Sequence, residues 1–192
     1  MKEESKKTVI IGISSGIAAF KIGNLITLLR DDFDCRIVMT ENATKLVGPV
    51  TFANLTQNPV LTDLWEASKD GVPAHINLAD IAKVLCIAPA TADIIGKLAN
   101  GIADDALSTV AIAVDCPTII APAMNHRMFN HPIVQENLNK LRDFGYYIIE
   151  PEEGWLACGH NAKGRLMNVE TIASAIRKAV AGEIAPPKAS TH

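Results

Sequence analysis

At 192 residues, 48% hydrophobic and 20% charged, the chain has the size of one compact domain and enough apolar material for a sizeable core. A formal net charge of -3, with no Lys/Arg block beyond the end Lys2 to Lys7, speaks against nucleic acid or another polyanion as partner. No apolar run is long enough to span a membrane, and the polar start Met1 to Lys7 lacks the apolar middle of a signal peptide. A cytoplasmic protein that acts on small molecules and associates with itself is therefore expected.

Thr8 to Ile13 is a β-branched run closed by Ser14-Ser15-Gly16, after which Ile17, Phe20, Ile22, Leu25, Ile26 and Leu29 recur at helical spacing. Cys35 to Thr40 predicts a second strand, Glu41 to Ala53 a helical segment ending at Asn54, and Val84 to Ala88 a third strand. Pro89-Ala90-Thr91-Ala92-Asp93 then enters a helix that runs to Ala99. Leu107 to Val114 predicts a buried helix, Thr118 to Ala121 a short strand, Pro132 to Phe144 a helix with Ile133, Leu138 and Leu141 as its apolar positions, Tyr146 to Glu150 a final strand and Val169 to Ala181 a closing helix. This alternation predicts one domain over residues 1–182: a doubly wound, mostly parallel α/β sheet of Rossmann-like or flavodoxin-like type, with ligands beyond the carboxyl ends of its strands. Ile184 to His192, with Pro186-Pro187, is expected to be a disordered tail.

Several segments at those strand ends carry chemistry. Ser14-Ser15-Gly16 ahead of a helix offers free N–H groups and two hydroxyls to one phosphate, although a serine N-cap with a tight-turn glycine would look the same. No Gly-x-Gly-x-x-Gly and no Walker lysine supports a dinucleotide or a nucleoside triphosphate. The small side chains of the Thr91 loop would let a flat ring lie against backbone, or Thr91 is simply a helix cap. Ser108 and Thr109 lie in an apolar helix, where packing is the ordinary role. Asn125, in Pro122-Ala123-Met124-Asn125-His126-Arg127-Met128-Phe129, can hold a carboxylate through its amide. His75 opens His75-Ile76-Asn77-Leu78, where a helix N-terminus favours the neutral base, with His126, His131 and His160 as competitors. Cys35, Cys86 and Cys116 lie in or beside apolar runs, and no Cys-x-x-Cys pair suggests a disulfide framework or zinc site, so no metal is expected. Cys158, between Ala157 and Gly159 in a polar loop running to Arg165, is the one thiol placed to donate a proton. Its ordinary pKa near ~8.5 keeps it protonated at neutral pH.

Five segments in order, from Ser14-Ser15-Gly16-Ile17-Ala18-Ala19 through His75-Ile76-Asn77-Leu78, Ala88-Pro89-Ala90-Thr91-Ala92 and Pro122-Ala123-Met124-Asn125 to Ala157-Cys158-Gly159, resemble the homo-oligomeric flavin-containing cysteine decarboxylases. The resemblance covers about Thr8 to Ala181. It implies FMN held by Ser14, Ser15, Gly16 and Ile17, by Thr40 and Asn42 after the second strand, by Thr91, Ala92 and Asp93, by Ser108 and by the backbone at Ala123. It implies a substrate site of Met124, Asn125, Ala157 and Gly159, with His75 as base, Asn125 as carboxylate ligand and Cys158 as proton donor. It further implies a trimer, or a dodecamer of trimers, with flavin sites at subunit contacts. The substrate implied is phosphopantothenoylcysteine of coenzyme A synthesis, and a chain ending where this one does resembles the stand-alone form rather than the form fused to a ligase.

The implied chemistry explains the residue types. A cysteine carboxylate loses carbon dioxide only when an acceptor exists for the electrons left behind. Hydride transfer from Cβ to the flavin with loss of the thiol proton creates a thioaldehyde, and the enethiolate left by decarboxylation is then reduced and protonated. An oxidative peptidyl-cysteine decarboxylase stops at the enethiol and needs no donor cysteine, so Cys158 separates the two readings. A flavin prenyltransferase lacks the asparagine motif, and a non-catalytic regulatory subunit of the same fold has no need of His75, Asn125 and Cys158 together. Three positions depart from the family pattern: Phe129 stands for a tryptophan, His160 for an acidic residue and Asp80 for a basic one.

Overall fold

A computed structural model describes residues 6–65, 71–155, 159 and 161–187. Six parallel strands form the central sheet: β1 (Thr8–Ile13), β2 (Asp34–Met39), β3 (Val60–Leu61), β4 (Ala82–Ala90), β5 (Thr118–Pro122) and β6 (Tyr147–Ile148), in the order β3-β2-β1-β4-β5-β6. The order reverses between β1 and β4, the crevice where doubly wound sheets bind ligands. The predicted α/β class is therefore the observed one.

Buried on both faces, the strands read as near-continuous apolar runs. Their pleat divides the core in two. Val9, Ile11 and Ile13 of β1 face α1 (Ile22–Leu29), α3 (Pro49–Thr56) and α9 (Val169–Val180). Ile10, with Leu85 and Ile87 of β4, faces α5 (Ala92–Ala99), α6 (Ala106–Ala113) and α8 (Pro132–Asp143). Gly12 of β1 belongs to this second side, where any Cβ would run into the Leu107 side chain of α6. The predicted helix over Glu41 to Ala53 is two helices, α2 (Glu41–Thr44) and α3, because Pro49 has no N–H to continue the first and instead starts the second after Gly48. α4 (Ala74–Ile81) leads into β4 and packs on α6, and α7 (His126–Phe129) is a single turn after β5.

Three expectations need correction. The strand at Tyr147–Ile148 is not the last, because an antiparallel hairpin follows: β7 (Glu152–Trp155) and β8 (Asn161–Arg165). Ile17 and Phe20, counted in the apolar stripe of the first helix, are 65% and 64% exposed on a short 3-10 turn ahead of α1. Ile184, assigned to a disordered tail, is half-buried against the first core, while residues 188–192 lie outside the described residues.

Candidate functional site

Ser14 follows β1 directly and is fully buried, and its position explains how the crevice is built. Its hydroxyl donates to the Pro89 carbonyl at 2.7 Å and accepts the Thr91 N–H at 2.9 Å, and its own N–H reaches the Pro89 carbonyl at 3.3 Å. The hydroxyl proton is taken up by the bond to Pro89, so Ser14 braces the ends of β1 and β4 against each other. Gly16 lies close over the Pro89 ring, which a Cβ would approach at 3.1 Å. Ser15 is exposed.

Beyond these strand ends opens a cavity of about 790 Å³. Its lining combines small or polar residues, Ser15, Gly16, Thr91 and Ala123, with the large apolar side chains of Ile17, Phe20, Met128 and Trp155. Thr91 occupies the N-cap of α5 without making a cap bond, and its buried Oγ1 has no hydrogen-bond partner among the described residues. A buried hydroxyl in that condition is costly unless a ligand or water completes it.

Asn125 lines the same cavity. It is the N-cap of α7, and its Oδ1 accepts the Arg127 N–H at 2.8 Å. That bond fixes which end of the amide is which and leaves the two Nδ2 protons as donors for an anion. Lys21 and Arg165, neither of them singled out by sequence reasoning, bring positive charge to the cavity. Burial lowers the Lys21 pKa, the neighbouring Arg165 lowers it further, and Glu152 partly opposes both. An anion between the two cations would relieve their repulsion.

The hairpin closes this side through backbone contact. The Met124 N–H donates to the Gly164 carbonyl at 2.9 Å, and Gly164 adopts φ 146°, where a Cβ would strike the Met124 carbonyl. Glycine alone fits there.

Other expected site residues are not among those lining the cavity. Thr40 caps α2 by accepting the Ala43 N–H at 3.2 Å, exposed Asn42 accepts from Lys45 at 2.9 Å, and exposed Asp93 pairs with Lys97 at 3.7 Å beside Ala92. Ser108 is fully buried in a reciprocal capping box with Asp105 at the start of α6. His75 is the second residue of α4 and does not line the cavity; its buried Nδ1 has no hydrogen-bond partner among the described residues. Of its competitors, His131 caps α8 by accepting the Ile133 N–H at 3.3 Å, and His126 is half-buried on α7. Asp80 is exposed on α4, and Phe129 is buried with the Lys163 ammonium 5.5 Å from its ring centre. Ala157, Cys158 and His160 lie outside the described residues, and Gly159 is exposed at φ 82°. The other thiols are buried, and burial pushes Cys86 up to about 12 and Cys35 and Cys116 up to about 11, so none of these three supplies a thiolate at neutral pH.

A Rossmann-ordered sheet with a cavity at its switch point, lined in part by Lys21 and Arg165, defines the α/β class, and comparison with known sequences gives its family. The Flavoprotein family model matches residues 1–181, and the chain belongs to that family. It is 42% identical over 189 residues to the Coenzyme A biosynthesis bifunctional protein CoaBC of Bacillus subtilis (strain 168), covering 98% of this chain and 47% of that protein. With the CoaBC of Escherichia coli (strain K12) the identity is 36%, over 86% of this chain and 41% of the relative. The chain thus spans less than half the length of these relatives. Among solved structures, a mutant PPC decarboxylase complexed with pantothenoylaminoethenethiol superposes with a TM-score of 0.83 at 30% identity, over 90% of this chain and 97% of that one. The FMN-dependent cysteine decarboxylase SpaF superposes with a TM-score of 0.81 at 35% identity, over 93% and 97%. A flavin cofactor follows from the family, and the cavity fits one: apolar side chains for a ring, a Cβ-free lining at Gly16, and the orphaned Thr91 hydroxyl.

Proposed function

We propose that the chain catalyses the FMN-dependent decarboxylation of phosphopantothenoylcysteine to phosphopantetheine in coenzyme A biosynthesis. The observation that carries this reading is Asn125: an amide whose oxygen is used in capping, presenting its N–H donors to a cavity that Lys21 and Arg165 make positive. Such a site suits a substrate with a carboxylate at one end and a phosphate at the other. The CoaBC relatives and the PPC decarboxylase neighbour support the same substrate.

FMN would be held by Ser15, Gly16 and Ile17 after β1, by the Thr40 and Asn42 turn, by Thr91 with Ala92 and Asp93, and by the backbone at Ala123. Bound there, it would supply a reversible two-electron acceptor. The chain's own residues would then do four things. Asn125 would orient the carboxylate, with Met124, Ala157 and Gly159 beside it. His75 would take the thiol proton as Cβ is oxidised, giving a thioaldehyde. Loss of carbon dioxide would leave an enethiolate, and Cys158 would return a proton to carbon as the electrons come back. The Lys21 and Arg165 side would hold the phosphate.

His75, on α4, does not line the cavity of its own chain. A base supplied by a neighbouring copy fits a homo-oligomer with flavin sites at subunit contacts, as a trimer or a dodecamer of trimers. Exposed Ile17, Phe20, Met128 and Trp155 are apolar enough to be covered by such a copy. A cytoplasmic location accords with this pathway; among the described residues no helix is long and apolar enough to cross a membrane. The test is direct: FMN-loaded protein given phosphopantothenoylcysteine should release carbon dioxide and form phosphopantetheine, and no release from folded, flavin-containing protein would refute the reading.

A further inference from the structure

The β7–β8 hairpin meets the asparagine loop at two consecutive residues. Gly164 does so through its backbone, by accepting the Met124 N–H. Lys163 does so through its side chain. Its ammonium sits 5.5 Å from the centre of the Phe129 ring, and it reaches Glu150 at 2.7 Å. Glu150 is held from the other side by Arg142 of α8, at 2.5 Å. Phe129 ends α7, the turn that Asn125 caps, and it is buried among the residues of the second core. One side chain therefore ties together the hairpin, the helical turn that begins with Asn125, and the Glu150 segment that follows β6.

We propose that Lys163 is a positioning residue for the substrate site, holding the β7–β8 hairpin and the Asn125 turn as one unit across the Phe129 face. The proposal rests on the decarboxylase reading for its kinetic consequences but not for its structural ones. The Lys163–Glu150 pair alone is half-exposed and of the kind that contributes little. The ring changes that, because an ammonium over a buried aromatic face is attracted to it and the fixed carboxylate restricts where the ammonium can go. Asn125 lines the cavity and its Nδ2 donors are not used in the cap bond, so loosening its turn weakens carboxylate binding without touching Gly16 and Thr91.

The test uses the FMN-loaded protein and the variants Lys163→Met and Lys163→Arg. Lys163→Met keeps the stem and loses the charge. It should raise KM for phosphopantothenoylcysteine by about three- to tenfold, the combined size of a cation–π contact and an ion pair, with kcat and FMN content near parental values. Exchange of the Met124 amide should quicken while the buried β1 amides Ile10 and Ile11 stay as protected as before. Lys163→Arg, which keeps both contacts, should restore KM and protection. Parental KM in Lys163→Met, or faster exchange throughout the sheet, would overturn the proposal. If the parent protein does not turn over the substrate, the decarboxylase reading fails separately. The Met124 amide then decides alone: unchanged protection in Lys163→Met overturns the positioning role, and local loss of protection supports it.

Discussion

The Asn125 side-chain oxygen accepts the backbone N–H of Arg127 at 2.8 Å, so the residue that starts α7 also fixes the face its amide turns to the cavity. Aspartate is as good a helix cap as asparagine, and Asn125→Asp should keep the turn. It would replace two N–H donors by a second anionic oxygen beside the substrate carboxylate. We expect a folded, flavin-containing variant with decarboxylation reduced by at least about a thousandfold, combining the loss of a charged hydrogen bond with like-charge repulsion. Carbon dioxide release measured at saturating FMN checks this, and activity within tenfold of the parent would contradict the role of Asn125.

Ser14→Ala tests the crevice rather than the chemistry. Removing the hydroxyl leaves the Thr91 N–H and one lone pair of Pro89 without their partner in a buried place, a loss of about 1–3 kcal/mol in folding stability. Urea unfolding should show a lower midpoint with an unchanged slope. A loss well under ~0.5 kcal/mol would mean that water replaces the hydroxyl and that the brace is not needed.

How much of this was legible in the sequence depended on where the cause lay. The apolar runs of β1, β2, β4 and β5 and the helices between them are written in periodicity, because burial on two faces demands it. Ile17 and Phe20 satisfied the same periodicity and are nonetheless exposed, since a pattern registers apolarity and not what covers it. The hairpin was invisible: Glu152–Trp155 and Asn161–Arg165 lack β-branched alternation, and Gly164 is held to Met124 by tertiary contact. Lys21 and Arg165 are 144 positions apart and meet at one cavity only in three dimensions. The one early signal was that Arg165 closes the loop carrying Cys158. A sequence does not say where a hydroxyl proton points, so neither the Ser14 brace between β1 and β4 nor the Ser108 capping box could be read from it.

His75→Asn should abolish decarboxylation by removing the base while leaving FMN bound, because His75 is not among the residues proposed to hold the flavin. Mixing this variant with Asn125→Asp under conditions that exchange subunits should restore part of the activity, since a mixed oligomer can pair an intact His75 with an intact Asn125 from different copies. No recovery on mixing, with exchange verified by mass, would mean that both residues act within one chain.

The central claim is that this chain closes the redox cycle and returns the electrons to its substrate, and Cys158→Ser tests that most directly. A serine hydroxyl is a far poorer proton donor than a thiol. In an anaerobic single turnover with phosphopantothenoylcysteine, the account predicts carbon dioxide release, an accumulated enethiol and flavin absorbance that stays bleached. Formation of phosphopantetheine at the parental rate by the same variant would contradict it.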